Sequence, residues 1–351
     1  EYVAGEYVFK DAGKTITALA NSVNVLQDVW ANRYFGLIPM GLRAGEWLNL
    51  QNKLELHVIG DPTFRFGPKK PIEPTIPGVQ LVNEDMLDRW LEKEPAALQL
   101  LGIRKLYETE QEDALDVLEA IYRQSASANV RLEALAWLAE SRSDIFYNIL
   151  ETSVNDPNEL IRRLTVKWMG ESGRHHYLPA LAYARVHDVS ERVRFNAKNS
   201  LAFIDPGKAL GHLSDVWSQL ENDYHKQNIK YIINSMERSR EWLNEEIIPA
   251  LRDTSTISKD RYAACRTLRN YHFHKAVPVL LQVLNDDHQE MQLRINAAEA
   301  LGWFQYSLHR SLIIERCSQI LKKQQVPQAL ADEIMKTKLR LTMGPNNSIT
   351  P

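Results

Sequence analysis

The residues with the most evident chemical potential in this 351-residue sequence are two cysteines and two histidine pairs: Cys265, Cys317, His175-His176 and His272-x-His274. The cysteines fall within helical patterns, which predicts buried thiols that behave as small hydrophobes. Two cysteines are too few for a disulfide framework or a zinc cluster. The histidine pairs lie between predicted helices, with no Cys or clustered carboxylate at ligand spacing, so we expect neither a metal nor a cofactor. We assign no catalytic residue in this chain.

An arginine recurs at similar places in "VRLEALAWLAES", "IRRLTVKWMGES", "VRFNAKNSLAFI", "DRYAACRTLRNY" and "LRINAAEALGWF". We call these five residues the Arg ladder: Arg131, Arg162, Arg194, Arg261 and Arg294. They are 31, 32, 67 and 33 residues apart, and the long gap holds a weaker copy with Ile229 in the arginine position. A period near 32 residues with two helices in each unit predicts an α-solenoid.

Acidic residues precede several members of the Arg ladder. Asp156 and Asp188 stand six residues before an arginine, and Asp287 stands seven before one. We expect ion pairs along the helix stack, since an arginine that already binds a carboxylate is less available to a ligand. The alternative is a stripe that binds phosphate groups.

Other positions of the repeat also form columns. Small residues follow the arginine by three positions and large apolar residues by seven, which predicts tight helix contacts and an inter-repeat core (Ala134, Thr165, Ala197, Ala264, Ala297; Leu138, Met169, Leu201, Leu268, Leu301). Five positions after the arginine comes a polar column of mixed charge, which we call the partner column: Lys167, Asn199, Asn234, Arg266 and Glu299. It is either the surface for a protein or peptide partner on the concave face, or a merely solvated helix face.

The stretch "RINAAEALG", Arg294 to Gly302, resembles the HEAT-like repeat consensus. The resemblance covers residues 80–343 and implies a mainly α fold, a right-handed α-α superhelix (HEAT-like, or armadillo-type, solenoid). A net charge of −3 and scattered aromatic residues favour no nucleic-acid partner. No apolar run is long enough to predict a membrane span.

Residues 1–67 have a different pattern. "KTITALANSV" and "LELHVIG" predict strands, "GLRAGEWLNLQN" predicts a helix of about three turns, and Gly60-Asp61-Pro62 predicts a structural turn before a second strand-like run. His57 is expected to be an ordinary strand residue. Proline at every third position of "PKKPIEPTIPG" predicts an extended linker over 68–79. Residues 344–351 form a tail.

The N-terminal segment resembles the end of the catalytic domain of gingipain-type, caspase-like cysteine peptidases. The resemblance lies in the order of "YVAGEYVF", "GKTITALANSVNVLQDVW", "FGLIPMGLRAGEWLNL" and "HVIGDPTFRF". It implies a partial α/β domain over 1–67 whose His-Cys dyad precedes this chain. We therefore expect a fragment or processed product that is inactive alone, from a bacterial-type, secreted or cell-envelope protein.

Three functions stay open from the sequence. The solenoid could be the interaction scaffold of a cysteine peptidase, the protein could be a scaffold built on a pseudo-peptidase, or the repeats could act as a lyase or cofactor-maturation factor. The sequence contains no pocket signature for the third.

Overall fold

The computed structural model describes residues 3–10, 14–21, 33–51, 56–67, 87, 91, 95–108, 112–220 and 223–343. The predicted linker and tail lie outside these residues. Contacts divide the chain into two compact units, within residues 1–145 and 146–348. Within the described ranges, the helices are too short or too polar to cross a membrane.

The described part of the N-terminal segment of the first unit contains two α-helices and two strands: α1 (Val3–Phe9), β1 (Thr17–Asn21), α2 (Ala44–Asn49) and β2 (Leu56–Gly60). The strands pair antiparallel, with Thr17 opposite Gly60 and Asn21 opposite Leu56. Both strand predictions are confirmed, and His57 lies in β2 as expected.

Two other expectations for this segment are wrong. The helix α2 is shorter than predicted, because Gly41 has a φ of +104° and Arg43 is extended, which delays its start to Ala44. The run after the Gly-Asp-Pro turn is not a strand; instead, the backbone oxygen of Phe64 accepts a hydrogen bond from the Ala44 amide at 3.1 Å.

Among its described residues the first unit has three longer helices: α3 (Ala96–Glu108), α4 (Ala114–Gln124) and α5 (Ala128–Ser141). Helices α3 and α4 pack on α5, and the 3₁₀ turn Phe35–Leu37 packs on α3. Contacts thus group these helices with the N-terminal segment, whereas the sequence pattern grouped them with the solenoid. The boundaries at residues 67 and 79 stay a prediction.

The second unit is an alternating series of helices. The first helix of each pair, or A helix, is α6 (Asp144–Ser153), α8 (Leu178–His187), α10 (Pro206–Ser218), α12 (Ile248–Arg252), α14 (Val277–Asn285) or α16 (Arg310–Leu321). The second, or B helix, is α7 (Glu159–Ser172), α9 (Glu191–Ile204), α11 (Asp223–Glu241), α13 (Ser258–Asn270), α15 (Met291–Leu301) or α17 (Gln328–Thr342).

Local sequence explains where many of these helices begin. Proline stands at the first or second position of α8, α10 and α14, where its missing N–H costs nothing. The side chains of Asn158, Ser190 and Asp205 accept hydrogen bonds from the first amides of α7, α9 and α10. These caps fix the turns that orient each helix pair.

The two apolar columns form the core of the repeats. Every member of both columns is buried, and nine of the ten are completely inaccessible. These packing predictions are confirmed. The weaker copy of the repeat differs in its connection: α11 runs through a π-helix, Trp242–Ile247, directly into α12 without a turn.

A segment that joins two helix pairs also contacts helices of another pair. The segment 302–309 packs back onto α6 and α7, where the Tyr147 hydroxyl donates to the backbone oxygen of Tyr306 at 2.9 Å. The Leu308 amide donates to the Ser172 oxygen, also at 2.9 Å. These contacts link helix pairs that are far apart in the sequence.

Candidate functional site

The Arg ladder binds backbone oxygens at the end of the preceding helix or in the turn after it. Arg131 donates to Ser125 and Ala126, Arg162 to Asp156 and Pro157, Arg194 to Asp188, Arg261 to Leu251, and Arg294 to Leu284, at 2.6 to 3.2 Å. The last carbonyls of a helix have no partner within it, so each guanidinium satisfies groups that would otherwise be orphaned.

Arg162 and Arg294 also bind carboxylates of described residues. Arg162 donates from Nε and Nη2 to both oxygens of Asp188, in the next turn along the stack, at 2.8 and 3.1 Å. Arg294 pairs with Asp287 at 2.8 Å. A guanidinium held by a carboxylate and backbone oxygens has little capacity left for a phosphate group.

The partner column lies on the accessible side of the B helices. Lys167, Asn234 and Arg266 are exposed, and Asn199 and Glu299 are half-buried. Glu299 accepts a hydrogen bond from Arg269 of the preceding B helix at 2.8 Å. The column therefore offers a polar surface of mixed charge, of which one carboxylate is already engaged.

An aromatic cluster lies beyond the partner column, where α9, α11 and α13 end. Its ring centroids are 5.3 Å apart for Trp242 and Tyr271 and 6.4 Å for Phe203 and Tyr271, and all three rings pack near the buried ring of Phe273. Tyr271 is 44% exposed, and the other two are half-buried. We call Phe203, Trp242 and Tyr271 the aromatic patch.

Sequence reasoning missed the aromatic patch, although the sequence holds a signal for it. Phe203 and Tyr271 follow their partner-column residues by four and five positions, about one helical turn. Trp242 follows Asn234 by eight positions. Its place beside Tyr271 could not be read from the period, because the π-helix replaces the usual turn.

The pair His272-x-His274 is engaged within the protein. His272 Nδ1 lies 2.5 Å from an oxygen of Glu171, and its Nε2 lies 3.1 Å from the Arg269 oxygen. His274 is buried between the Ser307 hydroxyl and the Gly170 oxygen, each at 3.0 Å. All four ring nitrogens thus have protein partners, which leaves none for a metal ion.

The environment shifts the pKa values of His272 and His274 in opposite directions. Burial disfavours the charge on His272 and on Glu171, but their mutual attraction and hydrogen bond raise the pKa of His272 and lower that of Glu171. Burial lowers the pKa of His274 to about 4. Since Gly170 offers only an acceptor, neutral His274 donates from Nε2 and accepts from Ser307 at Nδ1.

The pair His175-His176 points to separate partners. His175 Nδ1 lies 3.0 Å from the Lys208 ammonium, whereas His176 lies 3.7 Å from an oxygen of Glu151. Across the described ranges, no three His, Cys, Asp or Glu side chains are grouped as metal ligands. Both cysteines are buried, and burial raises the pKa of Cys265 to about 12 and of Cys317 to about 11.

The first unit contains a buried charge cluster that the sequence did not indicate. The fully buried carboxylate of Glu133 accepts from Arg33 at 2.5 and 2.9 Å, from the Tyr34 hydroxyl at 2.6 Å and from Trp137 Nε1 at 2.6 Å. Burial opposes the charge on Arg33, but Glu133 outweighs it and raises the arginine's pKa. The cluster ties the N-terminal segment to α5.

The predicted turn has well-defined geometry. Gly60 has a φ of +95°, and a Cβ there would collide with the Ile16 backbone oxygen. One oxygen of Asp61 accepts from the amide and hydroxyl of Thr63 at 2.8 and 2.7 Å, and these bonds lower the aspartate's pKa. Asp61 thus closes its own turn, and the Pro62 oxygen accepts from the Gly45 amide.

Comparison with known proteins addresses the fold. Residues 244–319, from the π-helix through most of α16, match the family of HEAT repeats. The human deoxyhypusine hydroxylase structure, in complex with glycerol, is 14% identical with a TM-score of 0.30; the similarity covers 73% of this chain and 95% of that one. The complex of CpcE and CpcF of phycocyanin lyase from a Nostoc species is 13% identical with a TM-score of 0.37, covering 80% and 100%.

A search of curated proteins finds no match. The repeated helix pairs and the family match confirm the predicted fold class at the level of a mainly α, HEAT-like solenoid.

Proposed function

We propose that the helical repeats form a protein-binding scaffold whose partner docks on the B helices around the aromatic patch. The observation that carries this proposal is the cluster of Phe203, Trp242 and Tyr271, brought together from three helix ends and left partly accessible. Tryptophan and tyrosine are the residue types most enriched at the energetic centres of protein interfaces.

The partner column supplies a polar border for this surface. Asn199 and Arg266 stand about one turn before Phe203 and Tyr271 on the same helices. Lys167 lies within electrostatic range of Glu171 and of His272, and the centroid of the His272 ring is 5.7 Å from that of Phe203. An apolar centre with polar residues around it is the usual anatomy of a protein interface.

The chemistry of the second unit favours binding over catalysis. Each of the buried residues that could transfer a proton or attack a substrate already has an internal role or is shielded. His274 and Ser307 are almost inaccessible, and Cys265 and Cys317 are buried with raised pKa values. Their arrangement fits a structural network.

The two alternative functions have weaker support. The order α1, β1, α2, β2 is compatible with the end of a caspase-like domain, but many α/β segments share that order. Residues 1–67 contain no cysteine that could serve in the dyad. Among the described residues, we assign no ligand pocket to a lyase or maturation role. Peptidase or pseudo-peptidase parentage is therefore a secondary proposal.

Quantitative affinity capture with matched surface variants tests the scaffold proposal. The variant Trp242→Ala with Tyr271→Ser removes the aromatic patch, and Tyr183→Ser with Trp217→Ala removes the same residue types from exposed positions on α8 and α10. We expect a protein that wild type and control capture to be lost by the patch variant, and its purified form to bind the patch variant at least about tenfold more weakly. Circular dichroism verifies folding.

Equal binding to both variants would contradict the proposal, as would loss of binding in the A-helix variant alone. Either result would move the interface away from the B-helix ends.

A further inference from the structure

Basic side chains from separate connections between helices meet at the start of α10. The Lys208 ammonium, in the first turn of α10, lies 3.0 Å from Nδ1 of His175, which precedes α8. The Lys275 ammonium, just before α14, binds the buried carboxylate of Asp205 at 2.8 Å. The same oxygen of Asp205 accepts hydrogen bonds from two amides of the first turn of α10. Asp205 therefore fixes Lys275 beside the start of that helix.

Arg240, near the end of α11, completes this group of cations. A Cβ added to Gly207 would lie 3.9 Å from both Arg240 Cδ and Lys275 Nζ, so the two side chains border the same point beside the first turn of α10. Arg240 is exposed, and among the described residues no carboxylate lies at ion-pair distance from it. We call Lys208, Arg240 and Lys275 the cation group.

The cation group carries more positive charge than its acid partner neutralises. Partial burial and the charges of Lys208 and Lys275 lower the pKa of His175, although Asp205 acts in the opposite direction. The imidazole is therefore neutral at pH 7 and accepts the hydrogen bond from Lys208, since an ammonium only donates. The group has three cations and one bound carboxylate, that of Asp205, which leaves two positive charges over.

Two surplus charges with exposed N–H donors match the chemistry of a phosphate monoester. At pH 7 such a group carries a charge of about −1.5 to −2 and three strong acceptor oxygens. A guanidinium and two ammonium groups are the donors that most often bind phosphate in proteins. The Arg ladder differs, because its guanidinium groups already bind backbone oxygens.

The segments that carry the aromatic patch also carry the cation group. Arg240 precedes Trp242 by two residues, and Lys275 follows Tyr271 by four. The segment of the third ring continues directly into α10, which carries Lys208. A protein interface of ordinary size covers about 800 Å² on each partner, which is enough to include both features.

We propose that the cation group binds a phosphate group on a side chain of the partner protein, such as a phosphoserine. Lys208, Arg240 and Lys275 bind the phosphate oxygens, while His175 and Asp205 position the two lysines. This inference rests on the proposed function, since it names a chemical feature of the protein that docks at the aromatic patch.

Phosphorus NMR with the purified protein tests the phosphate site directly. The probe is a peptide of about ten Gly and Ala residues with one central phosphoserine, and its phosphorus resonance should shift with a Kd of about 1 mM or below. The variant Lys208→Gln with Arg240→Gln removes two of the three cations and keeps the pair of Lys275 with Asp205. It should weaken binding at least about tenfold, because charge-assisted hydrogen bonds are lost. Circular dichroism verifies folding.

Two controls make the titration specific. Arg192→Gln with Lys230→Gln removes two exposed charges that stand about 15 Å or more from the cation group along α9 and α11. Screening over that distance should keep the change in affinity below about twofold. The same peptide with Glu in place of phosphoserine should compete at least about fivefold less well, since it carries one negative charge instead of nearly two.

The partner itself supplies a second test. Treating the captured partner with a phosphatase should weaken its binding to wild type at least about tenfold and leave its binding to the Lys208/Arg240 variant unchanged. If phosphatase changed nothing for wild type, the cation group would take a small phosphorylated molecule instead of the partner, and the proposal would be wrong.

Other results would also overturn the phosphate site. They are no phosphopeptide binding at about 10 mM, equal losses in the two double variants, equal competition by the Glu peptide, or stronger competition by a short RNA. The aromatic-patch variant should bind the phosphopeptide like wild type, because this peptide has no apolar anchor. Failure of the patch to bind a partner would leave the phosphopeptide titration unchanged, so the two proposals fail separately.

Discussion

The two units each bury a glutamate, but they neutralise it differently. In the first unit, Glu133 has no exposed surface and is held by the permanently charged Arg33 together with two neutral donors. In the second, Glu171 is held by His272, whose charge depends on pH. Each carboxylate faces the interior from a helix, α5 or α7. The positive charge that neutralises it is permanent in the first unit and depends on pH in the second.

This difference separates what each cluster can do. The pKa of Arg33 is raised above its ordinary value, so the arginine stays charged at any pH at which the protein is folded. The His272–Glu171 pair is complete only while the histidine is protonated and the glutamate is ionised. The ion pair of Arg33 with Glu133 therefore does not change with pH. The pair of His272 with Glu171 makes the contacts around α7 depend on pH.

Replacing Glu133, the acid of the Arg33 cluster, should have the largest effect on the free energy of unfolding. The substitution Glu133→Gln removes the carboxylate that binds the largely buried Arg33, and breaking a buried ion pair this way typically costs about 3 to 5 kcal/mol of unfolding free energy. Urea denaturation followed by tryptophan fluorescence measures the change. Glu119→Gln is the control, because its partner Arg123 is 46% exposed and such pairs contribute about 1 kcal/mol or less.

A double variant separates charge from packing in this prediction. Arg33→Met with Glu133→Leu removes both charges and should recover part of the loss, because apolar residues often replace buried ion pairs at little cost. A Glu133→Gln protein that is as stable as the control variant would show that the cluster does not hold the unit together.

The contacts of His274, next to the His272–Glu171 pair, can be broken through the backbone. Gly173 ends α7 with a φ of +71°, and a Cβ there would collide with the His274 ring. Gly173→Ala should therefore destabilise the protein by about 2 to 3 kcal/mol, from left-handed strain and displacement of the ring. Gly211→Ala, in the open on α10, should leave stability unchanged or raise it by up to about 1 kcal/mol. Equal melting temperatures for Gly173→Ala and Gly211→Ala would mean that the His274 ring is not tightly packed against Gly173.

The pH dependence of stability tests the comparison directly. The pKa of His272 is raised, so its contribution is complete below the ordinary histidine value of 6.5 and is lost as pH rises through the raised value. Glu171, with a lowered pKa, contributes above its ordinary value and loses that contribution as pH falls through the lowered one. The melting temperature should decline above pH 7 in wild type, and His272→Gln should flatten that decline.

His274 should act in the opposite direction to His272. Its pKa is lowered to about 4, so neutral His274 stabilises the fold above pH 6.5 and that stability is lost as pH falls from 6.5 to about 4. Melting curves between pH 4 and 9 measure both effects. The exposed His288 provides the control: His288→Gln should reproduce the wild-type profile. If His272→Gln had the same pH profile of melting temperature as wild type, the pH-dependent pairing of His272 with Glu171 would be contradicted.

The period of the sequence predicted the repeats and their core, because close packing demands a small residue and a large one at fixed positions of each pair. Ala134 and Leu138 are buried for that reason. Periodicity describes neighbouring repeats only. It could not show that Arg33 reaches Glu133, or that residues 271–276 and 302–309 meet the end of α7, because these contacts join segments about 100 residues or more apart. The aromatic patch and the buried clusters depend on such contacts.

The smallest expected effect comes from an ion pair that is only partly buried. Asp188→Asn removes the bidentate partner of Arg162, whose pair lies at the surface edge of the stack. Burial opposes the charge on Asp188, but Arg162 and the Ser190 amide lower its pKa, so the pair stabilises the fold. We expect a loss of about 1 kcal/mol by urea denaturation, since hydrogen bonds to charged groups exceed neutral ones while solvent screens the pair. Arg194→Gln is the matched comparison, because Arg194 donates to the Asp188 backbone oxygen and has no hydrogen bond to a carboxylate among the described side chains. Arg194→Gln should lower the free energy of unfolding by less than Asp188→Asn does. A larger loss would mean that the carboxylates add nothing to the capping of the A helices.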